Sequence, residues 1–245
     1  MLDFLAVVLV RPKYPENIGA SARALMNMGC PNLVLVAPRE LDLQRALPMA
    51  TVQAQHVLES ARVHPDLASA LADFQYVLGT TARTGGWRKS MQAPEQAARA
   101  VLAKAAEGSR VALVFGPEDA GLTNEETVLC HQLVTIPTHA QGTSLNLAQA
   151  VLILLYECRK AALDSAPAAE APGPKACSHA EQEALIANIH QTLAAIDFLP
   201  PDNHDYWMIP IRRFLARFTL RRTEFDMLMG VCRQVHWAIT GRKKP

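Results

Sequence analysis

The 245-residue sequence lacks the cysteine and histidine spacings typical of disulfide-rich and metal-binding proteins. Its five cysteines are odd in number and far apart, with no C-x-x-C pair, and none of its eight histidines form an H-x-x-x-H pair. Disulfide frameworks and zinc sites both need suitably spaced ligands, so this distribution argues against either one. We therefore expect no metal, and we expect lone histidines such as His56 and His131 to be surface or helix-end residues.

The sequence also lacks a segment suited to a membrane. Its longest apolar stretch, residues 145–156, is interrupted by Asn146 and Gln149 and is too short to span a bilayer. The first residues include Asp3 and no basic region ahead of an apolar one, which is unlike a signal peptide. We expect a cytoplasmic protein without membrane contact.

Two phosphate-binding motifs are missing as well. The sequence has no G-x-G-x-x-G and no P-loop at the loops considered below, which weighs against an ordinary dinucleotide or nucleoside-triphosphate site. Half of the residues are hydrophobic, however, so the chain has enough apolar side chains for a sizeable core.

Short apolar runs alternate with helical patterns along the first two-thirds of the chain. This alternation predicts an α/β fold with a mainly parallel sheet and helices on both faces. The predicted strands cover residues 4–10, 33–36, 76–79, 111–115 and 133–136. The predicted helices cover residues 18–28, 52–61, 94–107 and 123–130, with a long apolar helix opened by Ser144. Ligands of such folds bind beyond the carboxyl ends of the strands, so the loops after strands are the candidate site.

Composition predicts three parts in the chain. Residues 1–160 hold the α/β pattern, residues 161–178 contain an Ala/Pro-rich linker, and residues 179–245 form a small helical module. The helical patterns of that module cover residues 181–199, 209–218 and 224–239.

The end of the module is basic although the whole chain has a net charge of only +1. From residue 206 onward, nine arginine and lysine residues stand against two acidic ones. Such a gradient predicts a polyanionic partner, and the alternative is a solvated helical face with a charged tail.

Three polar segments follow predicted strands. The first, residues 17–24, reads N-I-G-A-S-A-R-A, and its Arg23 lies off the apolar face formed by residues 18, 22, 25 and 26. The second, residues 115–126, reads F-G-P-E-D-A-G-L-T-N-E-E; its Gly116 lets backbone approach a ligand, and Glu118 places a carboxylate at the strand end. Thr123 and Glu126 form a predicted capping box there. The third, residues 138–150, runs from a glycine-bearing loop into a helix.

Each segment taken alone has an ordinary structural explanation. These explanations are a solvated helix arginine, a glycine-rich turn and a helix N-cap. A further strand end, L-G-T-T-A-R at residues 78–83, carries small hydroxyl residues and supports the ligand-site interpretation.

Taken in order, N-I-G-A-S-A-R-A, F-G-P-E-D-A-G-L-T-N-E-E and S-L-N-L-A-Q-A-V resemble the three motifs of SpoU/TrmH-type RNA ribose methyltransferases of the SPOUT superfamily. The similarity extends over about residues 1–160, and the ordered set is far more specific than any one motif. The chain is most similar to the TrmJ group, tRNA 2′-O-methyltransferases that act at nucleotide 32, and its linker and basic helical end also resemble that group.

The resemblance implies an α/β domain with a C-terminal deep trefoil knot, a homodimer, and S-adenosyl-L-methionine as cofactor. The cofactor pocket it implies is lined by Thr80, Thr81, Ala82, Gly116, Ile136, Thr143, Ser144 and Leu145. The polar positions it places around the reacting atoms are Asn17, Arg23, Glu118, Ser144 and Asn146, and Arg23 matches the catalytic arginine of the family. RNA contacts are expected from Arg23, Arg212, Arg213, Arg217, Arg221 and Arg222.

The implied reaction moves a methyl group from a sulfonium to a ribose 2′-hydroxyl, which requires in-line alignment and loss of the hydroxyl proton. A guanidinium does not lose its proton in the normal pH range. We therefore expect Arg23 to hold the target phosphate and ribose and to stabilise the developing alkoxide, while the proton leaves through phosphate or water. Ser144 and Asn146 would orient the ribose.

The sequence alone allows alternatives for the substrate, for the activity and for the role of residues 87–89. Pro117 stands where the TrmJ group typically carries arginine and other branches carry proline, so the resemblance does not fix the exact substrate nucleotide. A ribosomal RNA substrate with the same chemistry is a first alternative. A non-catalytic RNA-binding member is a second alternative, against which the presence of Arg23, Glu118, Ser144 and Asn146 argues. Trp87, Arg88 and Lys89 are consistent with either an RNA-contacting loop or a simple surface hairpin.

Overall fold

A computed structural model describes residues 1–83, 91–139, 141–142, 144–164, 176–200 and 202–241 of the chain. Within these ranges the strands are β1 (Leu5–Val10), β2 (Asn32–Val36), β3 (Arg62–His64), β4 (Tyr76–Thr80), β5 (Met91–Gln92), β6 (Val111–Phe115) and β7 (Gln132–Val134). The helices are α1 (Pro15–Met28), α2 (Leu43–Glu59), α3 (Leu67–Leu71), α4 (Pro94–Ala106), α5 (Asn124–Val128), α6 (Leu147–Asp164), α7 (His179–Ala195), α8 (His204–Leu215) and α9 (Arg222–Thr240). The segment of residues 87–89 lies outside the described residues.

The seven strands form one sheet in the order β3-β2-β1-β6-β4-β7-β5, and every neighbouring pair is parallel. The central strands β1 and β6 are buried along their whole length. Parallel sheets need cover on both faces, and alternate strand residues feed two separate apolar cores. One core includes residues of α1, α2, α4 and α6, and the other includes residues of α3 and the loop that leads into β7. The predicted mainly parallel α/β fold is confirmed.

The sequence patterns missed parts of the first half of the domain. The strands β3 and β5 and the helix α3 were not predicted, because segments of two, three and five residues are too short for a periodic pattern. The helix predicted at residues 52–61 begins instead at Leu43, where the carboxylate of Asp42 caps it. Pro48 and a non-helical Thr51 (φ 65°, ψ 162°) interrupt this helix. Only the residues after the interruption therefore show a clear helical periodicity of apolar side chains in the sequence. On α1, Met26 was predicted on the apolar face, but it is exposed.

The junction before α6 also differs from the prediction. The helix begins at Leu147, and its cap is Asn146, whose Oδ1 accepts hydrogen bonds from the amides of Ala148 (2.9 Å) and Gln149 (3.4 Å). The expectation that Ser144 opens the helix is therefore wrong. An N-cap is formed by the side-chain oxygen of the residue just before the helix, and here that residue is Asn146.

The C-terminal module consists of α7, α8 and α9, which pack around two small apolar clusters. Its helices begin at residues 179, 204 and 222, up to five residues before the predicted starts. A capping box of Ser178 and Glu181 starts α7, and Asn203 caps α8 through the amide of Tyr206. None of the described helices is long and apolar enough to cross a bilayer.

This module docks on the face of the sheet that carries α3. The amides of His179 and Ala180 donate to the carbonyls of Phe74 (2.7 Å) and Ala72 (3.2 Å). The ring of His131 accepts from the amide of Val77 at Nδ1 (3.1 Å), and its Nε2 lies 2.8 Å from Oε1 of Gln182 on α7. His56 is exposed in the last turn of α2, as predicted, whereas the prediction for His131 is wrong because it links the two parts of the chain.

Burial makes the docking sensitive to acid. It lowers the pKa of His131 and of His179 to about 4, against an ordinary value near 6.5. Between these two values the unfolded chain binds protons that the folded chain does not, so the free energy of unfolding falls as the pH drops from about 6.5 to 4. We expect a loss on the order of 1–3 kcal/mol between pH 7 and pH 5 in urea unfolding.

Replacing His179 by phenylalanine removes one of the two buried titrations and should reduce that pH dependence. His56→Gln is the matched control, because it also removes one histidine, at an exposed position on α2 that takes no part in the docking. An unchanged pH dependence in His179→Phe would contradict the assignment of the acid sensitivity to the docked histidines.

Candidate active site

A cleft of about 250 Å³ lies beyond the carboxyl ends of β4, β6 and β7. These three strands are neighbours in the sheet, so the segments that follow them meet although they are far apart in sequence. The cleft is lined by Thr80, Thr81, Ala82, Arg83, Phe115, Gly116, Pro117, Glu118, Asp119, Ala120, Gly121, Leu122, Val134, Ile136, Thr138, Ser144, Leu145, Leu147 and Ala150.

The wall after β4 is held by backbone contacts. The hydroxyl of Thr80 donates to the carbonyl of Val114 (3.1 Å), and the amide of Thr81 donates to the carbonyl of Val134 (2.9 Å). The strand end is thus fixed to both neighbouring strands. Arg83 reaches across the cleft, and its guanidinium donates to the carbonyl of Ala120.

The wall after β6 requires glycine. A Cβ on Gly116 would lie 2.2 Å from the backbone nitrogen of Leu122 and 2.3 Å from the carbonyl carbon of Gly121, so no other residue fits without moving the backbone. Gly121 has φ +65°, a conformation that side chains rarely adopt. Its amide donates to the carbonyl of Pro117 (2.8 Å), which closes a tight turn beside the cleft. A Cβ on Gly116 would force this turn away from its present position.

The carboxylate of Glu118 organises the loop after β1. Its Oε2 accepts from the amide of Lys13 (2.9 Å), and its Oε1 accepts from the amide of Tyr14 (3.4 Å) and from Nδ2 of Asn17 (2.6 Å). Both carboxylate oxygens of Glu118 therefore accept hydrogen bonds. Two donors are amides of the loop after β1, and the third is the side chain of Asn17 at the start of α1.

Asn17 carries this network to the third segment. Its Oδ1 accepts from Nδ2 of Asn146 (2.9 Å), and Asn146 in turn caps α6. A continuous chain of hydrogen bonds therefore joins Glu118, Asn17 and Asn146, one residue from each of the three motif segments.

A second carboxylate braces the same loop from outside. Glu126 forms a two-pronged ion pair with Arg11, with 3.0 Å between Nη2 and Oε2, and it also accepts from the amide of Thr123 (2.8 Å). Burial alone raises the pKa of Glu126, but the Arg11 guanidinium and the Thr123 amide together lower it below its usual value. The capping box of Thr123 and Glu126 is present, as predicted.

The structure gathers most of the sequence-predicted positions at this cleft. Those lining it are Thr80, Thr81, Ala82, Gly116, Glu118, Ile136, Ser144 and Leu145. Asn17 joins it through its hydrogen bond to Glu118, and Asn146 joins it through its hydrogen bond to Asn17. Thr143 lies outside the described residues. Arg23 is exposed on α1 and is not among the described residues that line the cleft.

The predicted RNA-binding arginines of the module are not equivalent. Arg212 contacts both carboxylate oxygens of Glu183 at 2.7 Å, and Arg222 pairs with Glu181 and with Asp226 (3.3 Å). Burial lowers the pKa of Arg213. Arg217 and Arg221 are exposed, and within the described part of the chain their guanidinium groups have no ion-pair partner.

Sequence reasoning missed the backbone donors of residues 13 and 14, the ion pair of Arg11 with Glu126, and the position of Arg83. Backbone amides carry no residue-type preference, so no pattern could have identified the first pair. Arg83 directly follows the Thr-Thr-Ala segment at the end of β4, and this position in the sequence could have indicated that it lies at the cleft.

An open parallel sheet with a cleft beyond its strand ends, walled by glycine and by hydrogen-bonded loops, defines a ligand-binding α/β domain. The model of the SpoU rRNA Methylase family matches residues 4–156, and that of the tRNA methyltransferase TrmJ, C-terminal domain, matches residues 180–244. The chain belongs to the SpoU rRNA methylase family.

Similar proteins cover nearly the whole chain. It is 37% identical over 240 residues to the tRNA (cytidine/uridine/adenosine-2′-O-)-methyltransferase TrmJ of Pseudomonas aeruginosa, covering 94% of this chain and 93% of that protein. It is 35% identical over 240 residues to the tRNA (cytidine/uridine-2′-O-)-methyltransferase TrmJ of Pectobacterium atrosepticum, covering 96% and 98%. Among solved structures, TrmJ from Z. mobilis ZM4 superposes with a TM-score of 0.81 at 35% identity, covering 94% of this chain and 98% of that one.

Removing the Glu118 carboxylate should release the loop after β1. In Glu118→Ala, we expect the amides of Lys13 and Tyr14 to exchange with solvent about 10-fold faster, because each loses its acceptor. Hydrogen exchange followed by mass spectrometry measures this.

Asp119→Ala is the matched control for that measurement. Asp119 is the adjacent carboxylate, but it forms ion pairs with the side chains of Arg39 (2.7 Å) and Lys13 (3.8 Å), whereas the amides of residues 13 and 14 donate to Glu118. Equal acceleration in both variants would mean that Glu118 has no special role in holding the loop.

Proposed function

We propose that this protein is an S-adenosyl-L-methionine-dependent tRNA methyltransferase that methylates the ribose 2′-hydroxyl of a cytidine or uridine, at nucleotide 32. The observation that carries the proposal is the hydrogen-bonded chain of Glu118, Asn17 and Asn146, which brings the three motif segments to one cleft. Membership in the SpoU family and near full-length similarity to TrmJ enzymes support the same activity.

The shape of the cleft fits the proposed cofactor. The turn over Gly116 leaves no room for a Cβ, so backbone atoms rather than a side chain form this part of the cleft wall. We propose that S-adenosyl-L-methionine is held by Thr80, Thr81, Ala82, Gly116, Ile136, Thr143, Ser144 and Leu145. When bound, it supplies a sulfonium methyl group that is already a good electrophile.

The protein's own task is then to present the ribose in line with that methyl group. Asn146 has its side chain fixed by Asn17 and by the start of α6, so it is suited to orient the ribose together with the exposed Ser144. Glu118 is occupied by the loop after β1, and we assign it the role of holding Asn17 rather than of accepting the proton. The proton leaves through the substrate phosphate or through water.

Arg23 fits this scheme in a homodimer. It does not line the cleft of its own chain, but α1 packs on α6, and the exposed faces of these two helices carry apolar side chains. These are Met26 of α1 and Leu152, Tyr156 and Leu163 of α6. We propose that this surface pairs two copies and that Arg23 of one copy binds phosphate and ribose at the cleft of the other.

Three further features belong to the proposal. We propose that the methyltransferase domain extends to the end of α6 and that residues 179–245 form the RNA-binding module, in keeping with the two family matches. The predicted boundary after residue 160 is too early, because α6 continues to Asp164 and the linker predicted at residues 161–178 therefore begins inside this helix. We propose that the part of the domain around α6 forms the deep trefoil knot. We also propose a cytoplasmic location, because all five cysteines remain free thiols, as in reducing compartments.

The alternatives are a ribosomal RNA substrate and a non-catalytic RNA-binding protein. Incubation with labelled S-adenosyl-L-methionine and total RNA, followed by mapping of the modified nucleotide, tests all three. We expect label in the ribose of tRNA nucleotide 32. Label in ribosomal RNA would identify a different substrate, and no label despite RNA binding would contradict the enzymatic proposal.

Mixing two inactive variants tests the placement of Arg23. If Arg23 acts at the cleft of the second copy, then Arg23→Ala and Asn146→Ala chains, each inactive alone, regain about a quarter of the parent activity in an equal mixture. This fraction follows because half of the dimers are mixed and each mixed dimer has one complete site.

This test has a control mixture and a second, conservative variant of Arg23. Mixing two preparations of Arg23→Ala should restore nothing. Arg23→Lys keeps the charge but loses the two-pronged contact, so its activity should fall. Parent-level activity of Arg23→Lys would exclude the two-pronged contact, and a mixture without recovery would exclude a site shared between copies.

A further inference from the structure

Two phenylalanines form an exposed pair where α8 ends. Phe214 is 57% exposed and Phe218 is 49% exposed, and their ring centroids are 5.2 Å apart at an interplanar angle of 70°. The turn between them is fixed, because the amides of Arg217 and Phe218 donate to the carbonyls of Phe214 (3.2 Å) and Leu215 (3.2 Å). Two aromatic rings are thus held together in solvent rather than in the core of the module.

The charges next to this pair are free. Arg217 lies between the two phenylalanines in the chain and Arg221 follows three residues after them, and both are exposed. Among the described residues neither guanidinium has an ion-pair partner, whereas Arg212 and Arg222 are neutralised by Glu183 and Glu181. The exposed rings therefore lie beside the uncompensated positive charge of the module.

The other end of the module provides an internal comparison. Phe198 is 66% exposed, even more than Phe214, but the charges near it in the chain are acidic. Asp197 directly precedes it, Asp202 follows four residues later, and Asp205 lies in the first turn of α8. Exposed aromatic surface therefore occurs near Phe198 and at the Phe214–Phe218 pair. Of these two places, only the pair is next to arginines without an ion-pair partner among the described residues, Arg217 and Arg221. Of the two ends compared, the one with Phe214 and Phe218 is therefore the more suitable for an anionic partner.

We propose that the surface formed by Phe214, Arg217, Phe218 and Arg221, here called the aromatic–arginine platform, binds unpaired nucleotides of the RNA substrate. Every nucleobase presents a flat π face that stacks on an aromatic ring, and arginines beside such rings contact phosphates. This inference rests on the proposed function for the identity of the RNA, and it adds that the module selects single-stranded segments over duplex.

A second copy of this chain is a less suitable occupant. Copies that meet through a twofold axis present the same surface to each other, so Arg217 and Arg221 of both copies would meet without a counter-charge. RNA supplies that counter-charge with each phosphate.

The test uses the full chain with Phe214→Leu/Phe218→Leu, which keeps apolar volume and removes the π faces. The probes are a 12-nucleotide oligouridylate and a 12-base-pair RNA duplex, with binding followed by fluorescence anisotropy. We expect about 10-fold weaker oligouridylate binding and duplex binding within about twofold of the parent. Phe198→Leu is the matched control and should leave both affinities unchanged.

A second variant separates charge from stacking and does not depend on the phenylalanines. Arg217→Gln/Arg221→Gln should weaken both probes and lower the slope of log affinity against log salt by about 1–2. Parent-like binding of oligouridylate by the leucine variant overturns the platform, as does an equal loss for both probes. A change in oligomeric state of the leucine variant, measured by analytical ultracentrifugation, would instead assign the surface to contact between copies.

Methyl transfer by the parent chain distinguishes failure of the platform from failure of the proposed function. If the parent methylates tRNA and the leucine variant keeps its oligouridylate affinity, only the platform is overturned. If the parent transfers no methyl group to tRNA but the leucine variant loses oligouridylate selectively, the platform stands and the proposed function fails.

Discussion

The arrangement of the cleft depends on the carboxylate of Glu118. It accepts hydrogen bonds from two consecutive amides after β1 and from Asn17, more than 100 residues away in sequence. Asn17 then binds Asn146, which holds the first turn of α6. A carboxylate is suited to this role because its two oxygens accept from several donors at once, which a hydroxyl or an amide does less well. Without it, the loop after β1 and the start of α1 would lose three hydrogen bonds to the segment after β6. Ordering that loop when a ligand binds would then cost more conformational entropy.

Much of the fold could be predicted because the central strands are continuous apolar runs, which are typical of a buried parallel sheet. β1 and β6 are fully buried apolar runs, and such runs are recognisable as strands in the sequence. Thr123 and Glu126 have the spacing of a capping box, which predicted the start of α5. The edge strands β3 and β5 could not be predicted, since they are too short for a pattern and owe their pairing to neighbours. His131 was misjudged for a related reason: its burial comes from α7, which lies about 50 residues further along the chain.

The site was partly predictable for the same physical reasons. Strand ends, glycines and small polar residues pointed to the correct loops, because parallel strands bring their carboxyl ends to one edge. The backbone donors to Glu118 and the choice of Asn146 over Ser144 as helix cap could not be predicted, since they depend on where loops pack in space. The same holds for the arginines of the module, where neighbouring carboxylates decide which guanidinium groups remain free.

The central claim is that Asn17 and Asn146 act as one unit in shaping the cleft. A double-mutant cycle of Asn17→Ala and Asn146→Ala, with S-adenosyl-L-methionine affinity measured by calorimetry, tests it most directly. The hydrogen bond between the two side chains predicts a coupling free energy of about 1 kcal/mol or more, so that the second substitution costs less affinity after the first than it does in the parent chain. Losses that add to within about 0.5 kcal/mol would contradict the account, because the two residues would then act independently.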